Sequence, residues 1–271
     1  MSAVRIRPGA PNIFNMSKTA TIIFDLDGTV VDSPDHQEPT QRLVNAIQVA
    51  ENTYNLCAAT GRPWSSAKPI IQALLLKDPC IVSAGTQIRD AATEQVLWQC
   101  DIEPSHLEQI VEVCKQYAQY KILYNDFDQE TYFNSNSMPL DNILRSPVYS
   151  LGIIFVPETK AADIIASFAH MQGVACTLAL AQKPGYNDIL ITNKYATKEH
   201  AIAKLLEIVG VERQDTIGIG DGHNDINLFQ AVQRKIAMGN AVQELKKMSD
   251  EVIGGVSDDG MAEYLEQLVK F

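Results

Sequence analysis

The chain has 271 residues, a formal net charge of −11 and 46% hydrophobic residues. This length favours two domains or one large domain with an insertion, and the composition excludes a disordered or fibrous chain. Because an acidic surface repels nucleic acids and anionic lipids, we predict that neither is a partner, although cations gathered in one cleft can still attract a small anion.

Cysteine usage and apolar runs limit the class of protein further. The five cysteines are scattered and never form a C-x-x-C pair, so we predict reduced, mostly buried thiols rather than disulfides or a zinc site. No apolar run approaches the roughly 20 residues of a membrane span. Residues 1–18 lack the apolar stretch of a signal peptide and form either a loose N-terminal arm or a segment before a second start at Met16, so cytoplasm is the expected location.

Short apolar runs followed by polar residues predict the first and last parts of the fold. Such runs are typical of buried strands in a parallel sheet, and they lie at residues 21–24, 56–59, 80–82 and 216–219. Helical patterns at 39–50 and 198–209 lie between them. The alternation predicts an α/β fold with a doubly wound, Rossmann-like sheet. Ligands of such sheets bind outside the carboxyl ends of the strands, where Asp25, Thr60, Ser83 and Asp221 should converge.

The middle of the chain has a different pattern, in which strands predominate. We predict strands at 95–102, 122–124, 131–134, 148–156 and 174–181, and helices at 104–119 and 159–171. This predicts an antiparallel sheet backed by helices. We therefore predict a core of residues 19–85 and 190–271, interrupted by an inserted α+β domain over 86–189.

The segment Asp25-Leu26-Asp27-Gly28-Thr29 places two carboxylates at the end of the first strand. Alternation along a strand points both side chains the same way, which is repulsive unless they share a cation or a proton. The functional interpretation is a nucleophilic carboxylate with an acid/base partner over Mg²⁺. The alternative is a strand that simply ends in an Asp/Gly turn.

A second acidic segment, Gly218-Ile219-Gly220-Asp221-Gly222-His223-Asn224-Asp225, follows the strand at 216–219. Its glycines allow a ligand to approach the backbone, but its spacing does not fit the calcium loop of an EF-hand. Asn224 or Asp225 also suits a helix N-cap. That role leaves Asp221 unexplained.

Two further segments offer groups that bind anions. Thr60-Gly61-Arg62 supplies a hydroxyl and a backbone N–H that can hold a phosphoryl oxygen, although it also fits a plain strand-to-loop turn. Lys198 opens a helix, where the helix dipole disfavours a cation. It therefore indicates an anionic partner, unless it is a solvated surface lysine.

Taken together, these four motifs resemble those of the haloacid dehalogenase superfamily, in the same order along the chain. Within it the sequence is similar to the Cof-like hydrolases, which carry an inserted type IIB α+β cap. The segments Ala237-Met238-Gly239-Asn240-Ala241 and Asp258-Asp259-Gly260-Met261-Ala262 are similar to the closing segments of that family. Ser83-Ala84-Gly85-Thr86 departs from its pattern, because relatives usually carry Asn before the Gly.

The resemblance implies an enzyme, a Mg²⁺-dependent phosphatase that hydrolyses small phosphate monoesters through an aspartyl-phosphate. It implies that Asp25 is the nucleophile and that Asp27 protonates the leaving group and then activates water. It also implies a set of binding residues: Mg²⁺ at Asp25, the Asp27 carbonyl and Asp221, phosphate at Thr60, Gly61, Lys198 and Asn224, and supporting roles for Asp225 and Arg62.

The cap of such an enzyme should exclude bulk water and favour small phosphorylated metabolites. Sugar phosphates are the leading class, followed by phosphorylated cofactors, and Arg145 and Lys183 are candidate cations facing the substrate. Two alternatives stay open: a phosphomutase of the same superfamily and a non-catalytic phosphometabolite sensor. We expect a monomer or a small homo-oligomer.

Overall fold

The computed structural model describes residue 18 and residues 20–32, 38–125, 147–180 and 184–270. Its described residues form two compact units. One, which we call the inserted unit, comprises the described residues between 99 and 196. The other, which we call the core unit, comprises the described residues from 18 to 98 and from 197 to 270.

The two units together contain the following strands and helices, numbered in chain order. The strands are β1 (Ala20–Phe24), β2 (Tyr54–Ala58), β3 (Cys80–Val82), β4 (Gln87–Arg89), β5 (Val96–Gln99), β6 (Lys121–Tyr124), β7 (Ser150–Pro157), β8 (Val174–Leu180), β9 (Tyr186–Asn193), β10 (Thr216–Gly220), β11 (Arg234–Ala237) and β12 (Glu251–Val252). The helices are α1 (Gln41–Ala50), α2 (Trp64–Ala73), α3 (Pro104–Lys115), α4 (Glu158–Ala166), α5 (Lys198–Val209), α6 (Ile226–Ala231), α7 (Gln243–Met248) and α8 (Gly260–Leu268).

The main sheet of the core unit has the strand order β12-β11-β10-β1-β2, and all its pairs are parallel. Its central strands are almost continuously apolar and buried because helices cover such sheets on both faces. From β1 the chain moves outward to β2, whereas from β10 it moves the other way to β11 and β12. Right-handed crossovers place the helices of these two directions on opposite faces. The α/β, doubly wound prediction is confirmed, and the strand order reverses between β1 and β10.

Local sequence explains where the helices of the core unit begin and end. The Thr40 hydroxyl accepts a hydrogen bond from the Leu43 N–H at 3.2 Å and caps α1. The Thr197 hydroxyl caps α5 in the same way by accepting from the His200 N–H at 3.2 Å. Helix α5 ends at Gly210, which has a left-handed backbone. The capping thus sets the position of Lys198, the first residue of α5.

The strands β3, β4 and β5 form a small separate sheet. The predicted chain crossings lie near residues 85 and 190, whereas the two units divide between residues 98 and 99 and between 196 and 197. The first boundary differs because β4 returns antiparallel onto β3 and so stays with the core unit. The second differs because a crossing at 190 falls inside β9.

The inserted unit is built on a four-stranded antiparallel sheet in the order β6-β7-β9-β8. Helices α3 and α4 pack against one face, where residues such as Ile110, Ile153, Ile164 and Ile191 form a buried core. The sequence pattern predicts no separate strand over the residues of β9. The strand predicted at 131–134, and the candidate cations Arg145 and Lys183, lie outside the described residues.

The cysteines form no disulfides, as the sequence predicts. All five cysteines are free thiols, and Cys57, Cys80, Cys100 and Cys114 are buried while Cys176 is half-buried. Burial raises the pKa of Cys114 to about 12, so this thiol stays protonated at neutral pH.

Within the described part of the chain, none of the helices combines the length and apolar character needed to cross a membrane.

Candidate active site

Asp25 and Asp221 are brought together by the parallel pairing of β1 with β10. Asp25 follows β1 directly, and its N–H donates to the Ile219 carbonyl of β10 at 3.0 Å. Asp221 follows β10 directly. Because the carboxyl ends of parallel strands meet at one edge, the two carboxylates lie side by side at the point where the strand order reverses.

Lys198 joins this edge through two buried ion pairs. Its ammonium donates to Asp25 Oδ1 at 2.7 Å and to Asp225 Oδ1 at 2.7 Å, and only 4% of its side chain is exposed. The sequence pattern of Lys198 indicated an anionic partner. The structure shows that this lysine already meets two anionic partners within the chain, which explains how a cation is tolerated in the first turn of α5.

Burial and charge act against each other in this cluster. Burial raises the pKa of Asp25, the Asp225 charge raises it further, and the ion pair with Lys198 lowers it in part. For Lys198, burial alone lowers the pKa, but the pairs with Asp225 and Asp25 outweigh burial and raise it. Lys198 therefore stays charged, while one ammonium is not enough to balance all the nearby carboxylates.

Asp225 stabilises the turn after β10 by hydrogen bonds to its backbone. Its Oδ2 accepts hydrogen bonds from the backbone N–H groups of Asp221 and Gly222, both at 3.0 Å, while its Oδ1 accepts from Lys198. Both carboxylate oxygens are therefore used within the chain. Asp225 links the position of Asp221 to that of the lysine.

Two residues without a role in the sequence analysis contact Asp221. The Thr29 hydroxyl lies 3.4 Å from Asp221 Oδ1. The Asn240 amide donates to the Gly28 carbonyl at 2.8 Å and lies 3.4 Å from Asp221 Oδ2. Both residues belong to motifs named in the sequence analysis, Thr29 to the first acidic segment and Asn240 to the segment at 237–241. Their contacts with Asp221 are visible only in the folded chain.

Three carboxylates are placed so that they could hold a metal ion. Ligand oxygens of Asp25, Asp221 and Asp225 all lie within 4.8 Å of one another. Burial raises the pKa of Asp221 to about 6, and the charge of Asp225 adds to the rise. The carboxylate oxygens repel one another, and a hard divalent cation bound between them would offset this repulsion. Since both Asp225 oxygens are hydrogen-bonded, the fit is best at Asp25 and Asp221.

The Asp27 carboxylate is not one of these three and is paired with Arg62. The Arg62 guanidinium donates from Nε to Asp27 Oδ2 at 2.9 Å and from Nη2 to Oδ1 at 2.6 Å. The Asp27 side chain is 40% exposed and that of Arg62 is 11% exposed. Arg62 therefore holds the Asp27 carboxylate in a fixed orientation with a two-point contact.

The other predicted phosphate-binding residues, Thr60, Gly61 and Asn224, differ in their exposure. Thr60 is fully buried, and its hydroxyl accepts from the Arg62 N–H at 3.1 Å. Gly61 borders open space, since an added Cβ would meet nothing within 4 Å. Asn224 is exposed and lies in a short 3-10 turn, next to Asp225. His223 is exposed as well and lies 3.4 Å from Glu244.

The comparisons with known proteins agree with the motifs. The sequence model of the haloacid dehalogenase-like hydrolase family matches residues 22–265. The chain is 23% identical to pyridoxal phosphate phosphatase YbhA of Escherichia coli (strain K12), over 91% of this chain and 97% of that protein. It is 20% identical to 5-amino-6-(5-phospho-D-ribitylamino)uracil phosphatase YitU of Bacillus subtilis (strain 168), over 93% of this chain and 98% of that protein.

Solved structures agree on the fold. The HAD subclass IIB sugar phosphatase BT4131 superposes with a TM-score of 0.70 at 20% sequence identity, over 92% of this chain and 99% of that one. The family model covers most of the sequence, and the superposition covers both units. The chain therefore belongs to the haloacid dehalogenase-like hydrolases and has the fold of their subclass IIB members.

Proposed function

We propose that this hydrolase is a Mg²⁺-dependent phosphatase that removes phosphate from small monoesters through an aspartyl-phosphate. One observation carries the proposal: Asp25 is a buried carboxylate, paired with Lys198 and grouped with Asp221 at the edge where the strand order reverses. A nucleophile, a cation for the phosphate and a metal ligand are thereby joined in one place. The phosphatase names of the relatives support the same reaction class.

Asp25 begins the reaction in this proposal. Its carboxylate oxygen attacks phosphorus, the bond from phosphorus to the leaving oxygen breaks, and an aspartyl-phosphate forms. Mg²⁺ held by Asp25 and Asp221, with the Asp27 carbonyl, would neutralise negative charge on the phosphate. Lys198 orients the Asp25 carboxylate and offsets charge on the phosphoryl oxygens, while Thr60, Gly61 and Asn224 donate hydrogen bonds to them.

Asp27 completes the reaction as acid and base. In its carboxylic-acid form it gives a proton to the leaving alkoxide, and the resulting carboxylate then takes a proton from the water that hydrolyses the aspartyl-phosphate. Since the Asp27 carboxylate is paired with Arg62, it must exchange part of that contact for the substrate oxygen. Arg62 thus supports the acid/base residue rather than the phosphate itself.

Small metabolites are the proposed substrates, with sugar phosphates and phosphorylated cofactors as the two classes. The named relatives act on pyridoxal phosphate and on a phosphorylated ribitylaminouracil, and the structural neighbour is a sugar phosphatase. We also propose a cytoplasmic location and a monomer or small homo-oligomer, as the sequence analysis expected.

The test is phosphate release from a panel of both substrate classes, with and without Mg²⁺. The wild type is compared with Asp25→Asn and with Asp163→Asn, which makes the same isosteric change at an exposed position of the inserted unit. We expect Mg²⁺-dependent release that is lost in Asp25→Asn and kept in Asp163→Asn. Isomerised substrate without released phosphate would identify a mutase, and binding without turnover a sensor.

A further inference from the structure

The turn after β3, Ser83-Ala84-Gly85, has an unusual backbone. Ser83, Ala84 and Gly85 have φ values of +52°, +57° and +98°. Residues with a Cβ rarely adopt this left-handed conformation because it strains the backbone. Such a strained conformation persists only where the surrounding structure holds it in place. Two sets of contacts hold this turn.

On one side the turn is fastened to the predicted phosphate-binding segment. The Ser83 N–H donates to the Arg62 carbonyl at 2.7 Å, and the Ala84 N–H donates to the Thr60 carbonyl at 3.2 Å. The first two strained residues therefore have a fixed position relative to residues 60–62.

On the other side the turn lies against the beginning of α5. A Cβ built on Gly85 would lie 2.5 Å from the Thr197 carbonyl carbon, 2.6 Å from its oxygen and 2.7 Å from the Lys198 nitrogen. These are backbone atoms, so no side-chain rotation can relieve the clash. The space between the turn and the first residue of α5 admits a glycine and nothing larger.

We infer that Gly85 is a positioning residue for Lys198. The turn acts as a spacer between residues 60–62 and the start of α5, and its thickness at Gly85 sets where the Lys198 backbone lies. From there the ammonium reaches Asp25 and Asp225 simultaneously, at 2.7 Å each. A displacement of about 1 Å would take one of these contacts beyond hydrogen-bond range. The effect on turnover rests on the proposed function, whereas the effect on the ion pairs does not.

The chain offers a matched control for the variant Gly85→Ala. Gly210 ends the same helix with φ of +72°, and a Cβ there would meet nothing within 4 Å. Gly85→Ala and Gly210→Ala therefore impose the same kind of backbone strain, and both should lower Tm, Gly210→Ala by a few degrees and Gly85→Ala by more. Only the first intrudes on Thr197 and Lys198.

Two measurements follow the position of the lysine. The ¹⁵N-edited NMR signal of the Lys198 ammonium in the metal-free protein is assigned by its loss in Lys198→Met. We expect this signal to shift or vanish in Gly85→Ala and to stay in Gly210→Ala. We also expect kcat to fall at least about 10-fold in Gly85→Ala with KM within about twofold, because the ammonium stabilises charge that develops in the transition state.

An unchanged Lys198 signal in Gly85→Ala, with kcat within twofold of the Gly210→Ala control, would overturn the inference. If the wild type releases no phosphate, the proposed function fails, but the NMR comparison still decides the role of Gly85. If Gly85→Ala does not fold, the double variant Ala84→Gly/Gly85→Ala is used. It relieves the strain at residue 84 while it keeps the added methyl group, and the same two outcomes apply.

Discussion

Charge balance among a few buried residues governs the site. One ammonium, Lys198, faces Asp25 and Asp225 directly, and Asp221 adds a further carboxylate within 4.8 Å of both. Burial makes unbalanced charge costly. The unbalanced charge of the metal-free site therefore lowers the free energy of unfolding, and a bound divalent cation should raise it again.

The substitution Asp221→Asn tests this balance. Because the fold raises the pKa of Asp221 from 3.8 to about 6, its ionised form is disfavoured in the folded state. Stability of the wild type should therefore fall as the pH rises from about 4 to about 6 and stay low above that range. Without metal at pH 8, we expect Asp221→Asn to be more stable by about 1 kcal/mol after allowance for partial exposure, and at pH 4 the difference should vanish.

Thermal unfolding in EDTA and in Mg²⁺ provides the measurement. Mg²⁺ should raise the Tm of the wild type at pH 8, since a ligand of the folded state stabilises it, and should raise that of Asp221→Asn much less. Asp163→Asn is the control for the loss of one surface charge. A metal-free Asp221→Asn that unfolds below the wild type at pH 8 would contradict this account.

The substitution Asp27→Asn separates proton transfer from phosphate binding. An amide cannot protonate the leaving alkoxide, so we expect kcat/KM for alkyl monoesters, which reports formation of the aspartyl-phosphate, to fall by about 10²–10⁴. For p-nitrophenyl phosphate, whose leaving group needs no proton, the loss should be at least tenfold smaller. Because the Asp27–Arg62 pair is partly exposed, stability should change by less than about 1 kcal/mol.

Steady-state kinetics with both substrates decides the role of Asp27. Equal losses of kcat/KM for the alkyl and the aryl substrate would show that Asp27 does not act as the acid for the leaving group.

At the scale of elements, the site depends on where strands and helices end. Asp25 and Asp221 follow neighbouring parallel strands, and Lys198 is the first residue of α5. Each functional side chain therefore sits at the end of an element whose remaining length is held by the core. Small changes at these ends should affect chemistry more than stability.

The helix cap at Thr197 offers such a change. Thr197→Ala removes the hydroxyl that accepts from the His200 N–H, so we expect a loss of about 1 kcal/mol in the free energy of unfolding. Because fraying begins at Lys198, kcat should fall several-fold while KM changes little. Thr197→Ser keeps the hydroxyl and should retain both values. Urea unfolding and steady-state kinetics are the measurements, and an unchanged kcat in a destabilised Thr197→Ala would contradict the link.

At the scale of the whole molecule, each of the two units has its own core, and the residues of the candidate site lie in one of them. The acidic cluster and Lys198 all belong to the core unit, while residues 99–196 have their own sheet and buried cluster. Stability of the inserted unit can therefore be altered without touching the residues of the site.

The substitution Ile191→Ala tests this division. Ile191 is fully buried in the inserted unit, and its truncation should cost about 2–5 kcal/mol. We expect faster amide hydrogen exchange in β7, β8 and β9, unchanged exchange in β1 and β10, and an unchanged affinity for Mg²⁺. Hydrogen exchange by mass spectrometry measures the first two and calorimetry the third. Equal acceleration in both units would show that they open together.

Much of this protein was predictable because the signals are local. Apolar runs that end in Asp25 and Asp221 predict buried parallel strands, and the order of four motifs identifies the family. The acidic composition and the scattered cysteines likewise depend on residue types alone. Such features need no knowledge of which distant segments meet.

Contacts between distant segments were decided only by tertiary structure. Sequence spacing could not show that Asp27 pairs with Arg62, that Asn240 touches Gly28 and Asp221, or that Lys198 already has two carboxylate partners. The boundary of the inserted unit was also displaced, because β4 pairs back onto β3. The physical reason is the same in each case: pairing and packing depend on which surfaces the fold brings together, and periodicity along the chain records only which residues are buried.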